Sequence, residues 1–148
     1  MLKRTCGKSE KIEKCKKSVR EISLKDNGIT FLQDDDFDGF WKVRSINLEN
    51  NEISEILQNK KQLHKNCFHQ TPLLENLNLS KNKLAVLKPT TFFELKNLKI
   101  LNLSQNNLHR VENLQFGGPL IQLDFSRNEL YNNAHNIFHC EASICEVN

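Results

Sequence analysis

The 148-residue sequence has no apolar stretch that approaches the roughly 18 residues needed to cross a bilayer. Its first ten residues also lack the apolar segment of a secretory signal peptide. We therefore predict no membrane-spanning segment. We expect a chain that either stays inside the cell or is a trimmed form with an added methionine.

Motifs that carry chemistry are also missing. The sequence contains no phosphate-binding glycine loop and no grouping that resembles a catalytic triad. Tryptophan and tyrosine occur once each, and few aromatics other than phenylalanine lie near the basic N-terminal end, which argues against nucleic-acid binding. These absences predict a protein that is not an enzyme and needs no cofactor or metal ion.

The net charge of +3 is modest, but nine of the lysines and arginines fall within residues 1–25. We interpret this segment as a solvated, positively charged end of the chain. The alternative is a docking patch for an acidic partner or an anionic membrane surface.

The five cysteines form a pair near each end and a single residue between them: Cys6 and Cys15, Cys67, and Cys140 and Cys145. Two flanking pairs predict disulfide-stapled caps, which belong to an oxidising compartment. Because the count is odd, one thiol is left over or pairs outside this chain. A zinc site built from His135, His139 and the C-terminal pair is the alternative, but its spacing is cramped.

The dominant feature of the sequence is the pattern L-x-x-L-x-L-x-x-N-x-L, which occurs five times with conservative apolar replacements. The two cleanest copies span residues 74–84 and 98–108, and the others span 19–29, 43–53 and 120–130. The pattern asparagines, 22 to 31 residues apart, are Asn27, Asn51, Asn82, Asn106 and Asn128. This is the pattern of leucine-rich repeats, whose period is about 20 to 29 residues.

A repeat of this size cannot bury its own apolar face, so neighbouring repeats must share one core. We therefore expect Leu77, Leu101 and Leu123 to point inward together. The asparagine amides are expected to bond backbone groups that the tight turns leave unpaired, and to form a structural ladder.

The chain resembles extracellular leucine-rich repeat proteins of animals, such as Toll-like receptor ectodomains, variable lymphocyte receptors and insect immune repeat proteins. The resemblance rests on the five copies and on the intervening halves with Phe37 and Phe40, and with Phe92 and Leu95. It implies an α/β solenoid, a horseshoe with a curved parallel β-sheet on the concave face and irregular or short helical convex segments.

The same resemblance divides the chain into three parts. Residues 1–18 form an N-terminal cysteine-containing cap, residues 19–138 hold the five repeats, and residues 139–148 begin a C-terminal cysteine cap. We expect the chain to be one module of a longer protein.

Three local features depart from the regular pattern. An insertion at about residues 57–72 is predicted to be a surface loop, with a catalytic pair of Cys67 and a neighbouring histidine, His64 or His69, as the alternative. Trp41 is expected to pack, although a contact role is the alternative. Two glycines and a proline at 117–119 predict a tight turn.

The resemblance also implies partner binding, usually of proteins or microbial molecules and most often on the concave side. The candidate ligand-binding residues on the concave strip are Lys25, Asn47, Glu49, Asn76, Asn78, Ile100, Asn102, Gln122 and Asp124. The strip is polar and poor in the aromatic side chains that dominate tight interfaces. Ile100 is its only large apolar residue and is the expected centre of a contact.

Asn78 and Asn102 each begin an N-x-S sequon and are candidate glycosylation sites. The alternative is that both merely follow the repeat pattern. If they are glycosylated, the glycans lie on the middle of the strip, and binding is expected to move to the insertion, the flank or the lateral edge.

Together these features predict a non-catalytic recognition module that is extracellular or at the cell surface and takes part in innate immunity. The alternative is an intracellular leucine-rich repeat adaptor or scaffold in the cytoplasm, with reduced cysteines. Either protein could form a homo- or hetero-oligomer.

Overall fold

The computed structural model describes residues 16–33, 35–57, 67–111 and 114–130, together with the backbone of residues 145–146. Its main sheet contains six strands, β1 (Glu21–Ser23), β3 (Ser45–Asn47), β5 (Asn76–Asn78), β7 (Ile100–Asn102), β9 (Gln122–Asp124) and β10 (Cys145–Glu146). Two smaller sheets pair β2 (Phe31–Leu32) with β4 (Glu55–Ile56), and β6 (Val86–Leu87) with β8 (Arg110–Val111). One 3-10 helix spans Cys67–Gln70.

Every strand pair in the main sheet is parallel, and the strands follow one another in chain order. The register places the same repeat position opposite itself at each step, through Ile22, Ile46, Leu77, Leu101 and Leu123. This arrangement confirms the predicted solenoid, in which each repeat is one coil. β10 lies beside β9, within the segment predicted as the C-terminal cap.

The core lies behind the main sheet and runs through all the described coils. Leu77, Leu101 and Leu123 are buried as predicted, and so are most of the other apolar residues of the five copies. Alternation along each short strand puts only the central residue inside, so each strand leaves its first and last side chains on the outer face. The sheet therefore presents a polar face to solvent.

Four phenylalanine rings form a row that runs from coil to coil. The ring centroids of Phe37 and Phe68 are 5.8 Å apart, those of Phe68 and Phe92 are 6.5 Å apart, and those of Phe92 and Phe116 are 6.1 Å apart. Each coil from the first to the fourth thus contributes one ring. Contacts of this kind stabilise aromatic pairs beyond the area that they bury.

The prediction of a surface loop over residues 57–72 is wrong for its last part. Cys67, Phe68 and Thr71 are buried, and the 3-10 helix carries Phe68 into the position that Phe37 and Phe92 occupy in adjacent coils. Packing between the rings of Phe37 and Phe92 buries Phe68, although the polar residues that precede it in the sequence indicate a surface loop. Residues 58–66, with His64, lie outside the described residues.

Four of the five pattern asparagines form the predicted ladder; Asn27 in the first coil is the exception, because its Nδ2 donates to the carbonyl of Lys25 in its own turn. Asn82 is buried, and its Nδ2 donates hydrogen bonds to the carbonyl oxygens of Leu48, Leu79 and Ser80, while its Oδ1 accepts one from the backbone N–H of Ile53. The equivalent bonds of Asn51, Asn106 and Asn128 repeat this scheme in their own coils. Each of these amides joins its own turn to the preceding coil.

The residue before each of the five pattern asparagines has a left-handed backbone. The φ angles lie between 55° and 60° at Asp26, Asn50, Lys81, Gln105 and Arg127. A left-handed conformation costs a non-glycine residue about 1–2 kcal/mol. The buried asparagine hydrogen bonds compensate for this cost, because they satisfy the carbonyl groups that the turn directs inward.

Gly117 and Gly118 serve close packing. A Cβ atom on Gly117 would lie 1.9 Å from the carbonyl oxygen of Phe93, and one on Gly118 would lie 2.7 Å from that of Leu95. The shortened return half of the fourth repeat thus lies directly against the backbone of the third. The chain does bend here, as the glycines and proline predicted, but steric contact is what requires glycine at both positions.

The expectation that Trp41 packs inside is wrong, because 46% of its surface is exposed. Phe40 takes the inward position at this turn, which leaves Trp41 outside. None of the described residues belongs to a helix that is long and apolar enough to cross a bilayer.

Candidate recognition surface

Two rows of side chains cover the outer face of the main sheet. The leading row consists of the first residues of β1, β3, β5, β7 and β9: Glu21, Ser45, Asn76, Ile100 and Gln122. The trailing row consists of the last residues of the same strands: Ser23, Asn47, Asn78, Asn102 and Asp124. Seven of the nine candidate ligand-binding residues lie in these rows and are therefore brought onto one surface.

Side chains of the trailing row form hydrogen bonds with the backbone of the turns that follow their strands. Oδ1 of Asn78 accepts a hydrogen bond of 3.0 Å from the backbone N–H of Ser80, and Oδ1 of Asn102 accepts one of 2.9 Å from Ser104. Asn47 and Asp124 accept the equivalent bonds. The residue type alone could have predicted these hydrogen bonds, because Asn and Asp side chains commonly accept from the backbone N–H two residues onward.

The leading row is more open to a partner. Asn76 and Gln122 are exposed, and Ile100 keeps 39% of its surface accessible. Beside them lies Ile121, which is 65% exposed and is absent from the residues predicted from the sequence. The sequence could have indicated Ile121, because an apolar residue stands here at the repeat position that Arg44, Glu75 and Lys99 occupy in other repeats.

Ile100 and Ile121 belong to neighbouring coils. Ile100 is the register partner of Gln122, and Ile121 precedes Gln122 directly. The backbone N–H groups of Ile121 and Gln122 both donate to the carbonyl of Lys99, which fixes the two coils to each other at this point. Ile100 and Ile121 are therefore exposed apolar side chains of adjacent coils near the leading edge of the sheet, and we refer to the pair as the apolar patch.

Charged side chains at both edges of the sheet are paired within the chain: Glu49 follows the trailing row, and Glu75 lies at the leading edge in the repeat position of Ile121. Glu49 lies 3.2 Å from the ammonium of Lys25 and 2.7 Å from that of Lys81. Glu75 bridges Arg44 and Lys99 in the same manner, with a distance of 2.8 Å to the ammonium of Lys99. Each carboxylate thus joins three successive coils. Lys25 and Glu49 are therefore already paired within the chain in the absence of a ligand.

These contacts lower the pKa of both carboxyl groups. The hydrogen bond from Lys81, and then the one from Lys25, hold the pKa of Glu49 below its ordinary value of 4.5. For Glu75 the pKa is lowered first by the hydrogen bond from Lys99 and then by that from Arg44. Hydrogen bonds from cations favour the charged form of an acid.

We expect the free energy of unfolding to fall as the pH drops below 4.5, the ordinary pKa of these glutamates. A group whose pKa is lower in the folded state contributes stability above the unfolded pKa, and this contribution is lost as pH falls through the folded pKa. Urea unfolding across this range should show a weaker acid dependence in the double variant Glu49→Gln and Glu75→Gln. The exposed residue Glu55, changed to glutamine, is the control and should retain the acid dependence of the unmodified chain. An unchanged acid slope in the double variant would argue against this role.

The structure gives no support to the catalytic alternative at Cys67. The thiol is fully buried, so a substrate has no access to it from the surface. Within the described ranges, no group of three His, Cys, Asp or Glu side chains is arranged to hold a metal ion. The side chains of Cys6, Cys15, Cys140 and Cys145, and the alternative zinc ligands His135 and His139, lie outside the described residues.

Comparisons with known proteins agree with this architecture. The family model described as Leucine rich repeat matches residues 17–84 and 72–130. Toll-like receptor 2 of sheep (Ovis aries) is 33% identical over 104 residues, which cover 68% of this chain and 13% of the receptor. Human (Homo sapiens) leucine-rich repeat-containing protein 66 is 30% identical over 106 residues, which cover 72% of this chain and 11% of that protein.

The chain thus spans only a small part of the length of these two relatives. Repeat solenoids of this type generally mediate protein binding through the extended surface that the stacked coils create. The match to the family model runs through all five copies of the repeat pattern, and the parallel sheet and the asparagine ladder carry the same signature. The chain belongs to the leucine-rich repeat family.

Proposed function

We propose that this chain is a non-catalytic recognition module that binds a protein or microbial ligand through the concave or lateral face of its solenoid. Its place is in a secreted or cell-surface protein that acts in innate immunity. The similarity to a Toll-like receptor supports this role. The observation that carries the binding site is the exposure of Ile100 on an otherwise polar sheet face, together with that of Ile121 one residue before β9.

The energetics favour this patch as the centre of the contact. Burial of an isoleucine side chain stabilises a complex by up to about 1.5–3 kcal/mol, and Ile100 and Ile121 have a large part of that surface still accessible. The charged groups offer less, because Lys25, Glu49 and Lys81 already satisfy one another. A partner would therefore gain most from apolar contact with the isoleucines, and gain orientation from the amides of Asn76 and Gln122.

Site-specific photo-crosslinking tests this proposal, because it captures whichever partner touches the patch. A photoreactive phenylalanine analogue replaces Ile100 or Ile121 in separate variants. Val86, which is 54% exposed on β6 of a smaller sheet, provides the matched control. The variants, produced without glycans, are irradiated on the surface of animal cells and of microbial cells. We expect adducts from positions 100 and 121 and none from position 86.

A competition experiment with unlabelled protein tests whether the adducts come from specific binding. An excess of the unlabelled chain should suppress the adducts, and the Ile100→Asp variant should need at least about tenfold more protein, which corresponds to about 1.4 kcal/mol. Ile100 is an exposed residue, so this variant should unfold at the same urea concentration as the parent chain. Equal adducts from all three positions, or full competition by Ile100→Asp, would refute binding at this patch.

The proposed compartment has its own test. In a secreted or cell-surface protein the two cysteine pairs are oxidised, and a thiol count under denaturing conditions should find about one free thiol per chain. Five free thiols on protein isolated from its natural source would instead identify the intracellular adaptor.

A further inference from the structure

Both N-x-S sequons of this chain lie in the trailing row. The first runs from Asn78 to Ser80 and the second from Asn102 to Ser104, and the full sequence contains no other sequon. Asn78 ends β5 and Asn102 ends β7, and the two residues are register partners on adjacent parallel strands. The two acceptor sites are therefore neighbours in space although they are far apart in the chain.

The geometry of each amide leaves the acceptor nitrogen available. In Asn78 and Asn102 the turn uses Oδ1, which accepts the N–H of the serine two residues onward. No described residue accepts a hydrogen bond from either Nδ2, and both side chains are half-buried. The ladder residues Asn82 and Asn106 differ, because their Nδ2 atoms donate to carbonyl groups in the core.

N-glycosylation acts on this open atom. The transferase joins Nδ2 to the anomeric carbon of a lipid-diphosphate-linked oligosaccharide. The new C–N bond replaces the C–O bond to the diphosphate, which leaves with the lipid, and the amide nitrogen loses one proton to solvent. Oδ1 remains an acceptor in the product, so the turn at Ser80 or Ser104 keeps its hydrogen bond.

The spacing admits one glycan but not two. Adjacent strands lie about 4.8 Å apart, and a branched core oligosaccharide is several times wider than that. We propose that Asn78 and Asn102 are alternative acceptors, so that each folded molecule made in a glycosylating compartment carries a single N-glycan, on one asparagine or the other.

This inference stands apart from the proposed function, because it depends only on the sequons and the sheet. A glycan at Asn102 would lie two residues from Ile100 on the same face of β7. For that reason the crosslinking experiment above uses protein made without glycans.

The chain itself supplies matched variants. Asp124 fills the trailing-row slot of the last repeat and makes the same bond to the backbone of Ser126 as the sequon asparagines make in theirs. Asn78→Asp and Asn102→Asp therefore remove an acceptor nitrogen and preserve the turn. Ser80→Ala and Ser104→Ala remove each sequon and leave the asparagine in place. They show whether any effect of the aspartate variants comes from the added charge.

The test is intact mass spectrometry of native, monomeric protein secreted from an animal cell line with an added leader peptide. We expect one glycan per molecule, and peptide mapping after enzymatic release should find Asn78 and Asn102 each occupied in part of the population. Each single variant should carry one glycan on the remaining site, and the double variant none. Two glycans on one native molecule would overturn the inference, and so would a protein with both sequons empty.

Discussion

Replacement of Asn82 by alanine is expected to lower the free energy of unfolding by about 2–4 kcal/mol, because it removes four buried hydrogen bonds at about 0.5–1.5 kcal/mol each and leaves one buried N–H without its partner. The carbonyls of Leu48, Leu79 and Ser80 keep the hydrogen bonds that they accept from Asn51, Asn106 and Asn50, whereas the N–H of Ile53 has no second partner among the described residues. Some of these groups will relax or admit water, which brings the total below the simple sum. Urea unfolding followed by circular dichroism measures the change.

Asn27 is the matched control, since it occupies the same pattern position in the first coil. It is exposed, and its Nδ2 donates to the carbonyl of Lys25 within its own turn. Asn27→Ala should cost less than about 1 kcal/mol. A similar loss in both variants would mean that the ladder contributes little and that the amides act only locally.

Replacement of Phe68 by alanine is expected to cost about 3–5 kcal/mol, the range for loss of a buried aromatic side chain from a packed core. Only 1% of Phe68 is exposed, and its ring packs between those of Phe37 and Phe92. The substitution removes the middle of this stack and leaves a cavity at the joint between the second and third coils. The same urea experiment reports the loss.

Phe31 offers a comparison of identical chemistry at the surface. It is 48% exposed on β2, so Phe31→Ala should change the free energy of unfolding by less than about 1 kcal/mol. If Phe68→Ala were as mild as Phe31→Ala, then residues 67–70 would belong to a mobile loop and not to the core.

The repeat pattern predicted most of the fold because its residues are bound by strict physical requirements. The pattern leucines must be buried, and the ladder asparagines must bond the turn, so their spacing determines both the coils and the parallel sheet. The burial of Phe68 was not predicted, because Phe68 follows a polar, lysine-rich insertion whose spacing does not indicate which residue points inward. Its place became visible only through the rings of Phe37 and Phe92 on either side.

The candidate surface was predictable in position and less so in detail. Register alone put Asn76, Asn78, Ile100, Asn102 and Gln122 on one face. The commitment of the trailing row to its turns and the pairing of Glu49 with two lysines depend on side-chain contacts between coils, which no single repeat reveals. Ile121 was missed because its slot is charged in the preceding three repeats, and because it lies just outside the strand.

Native-state hydrogen exchange at the backbone N–H of Ile53 tests most directly whether asparagine side chains join each coil to the one before it. In the parent chain this N–H donates to Oδ1 of Asn82, and the N–H of Leu108 donates to Oδ1 of Asn128. In the Asn82→Ala variant, Ile53 should lose its protection while Leu108 keeps its own. Equal protection of Ile53 in the parent and the variant would contradict the ladder as the link between coils.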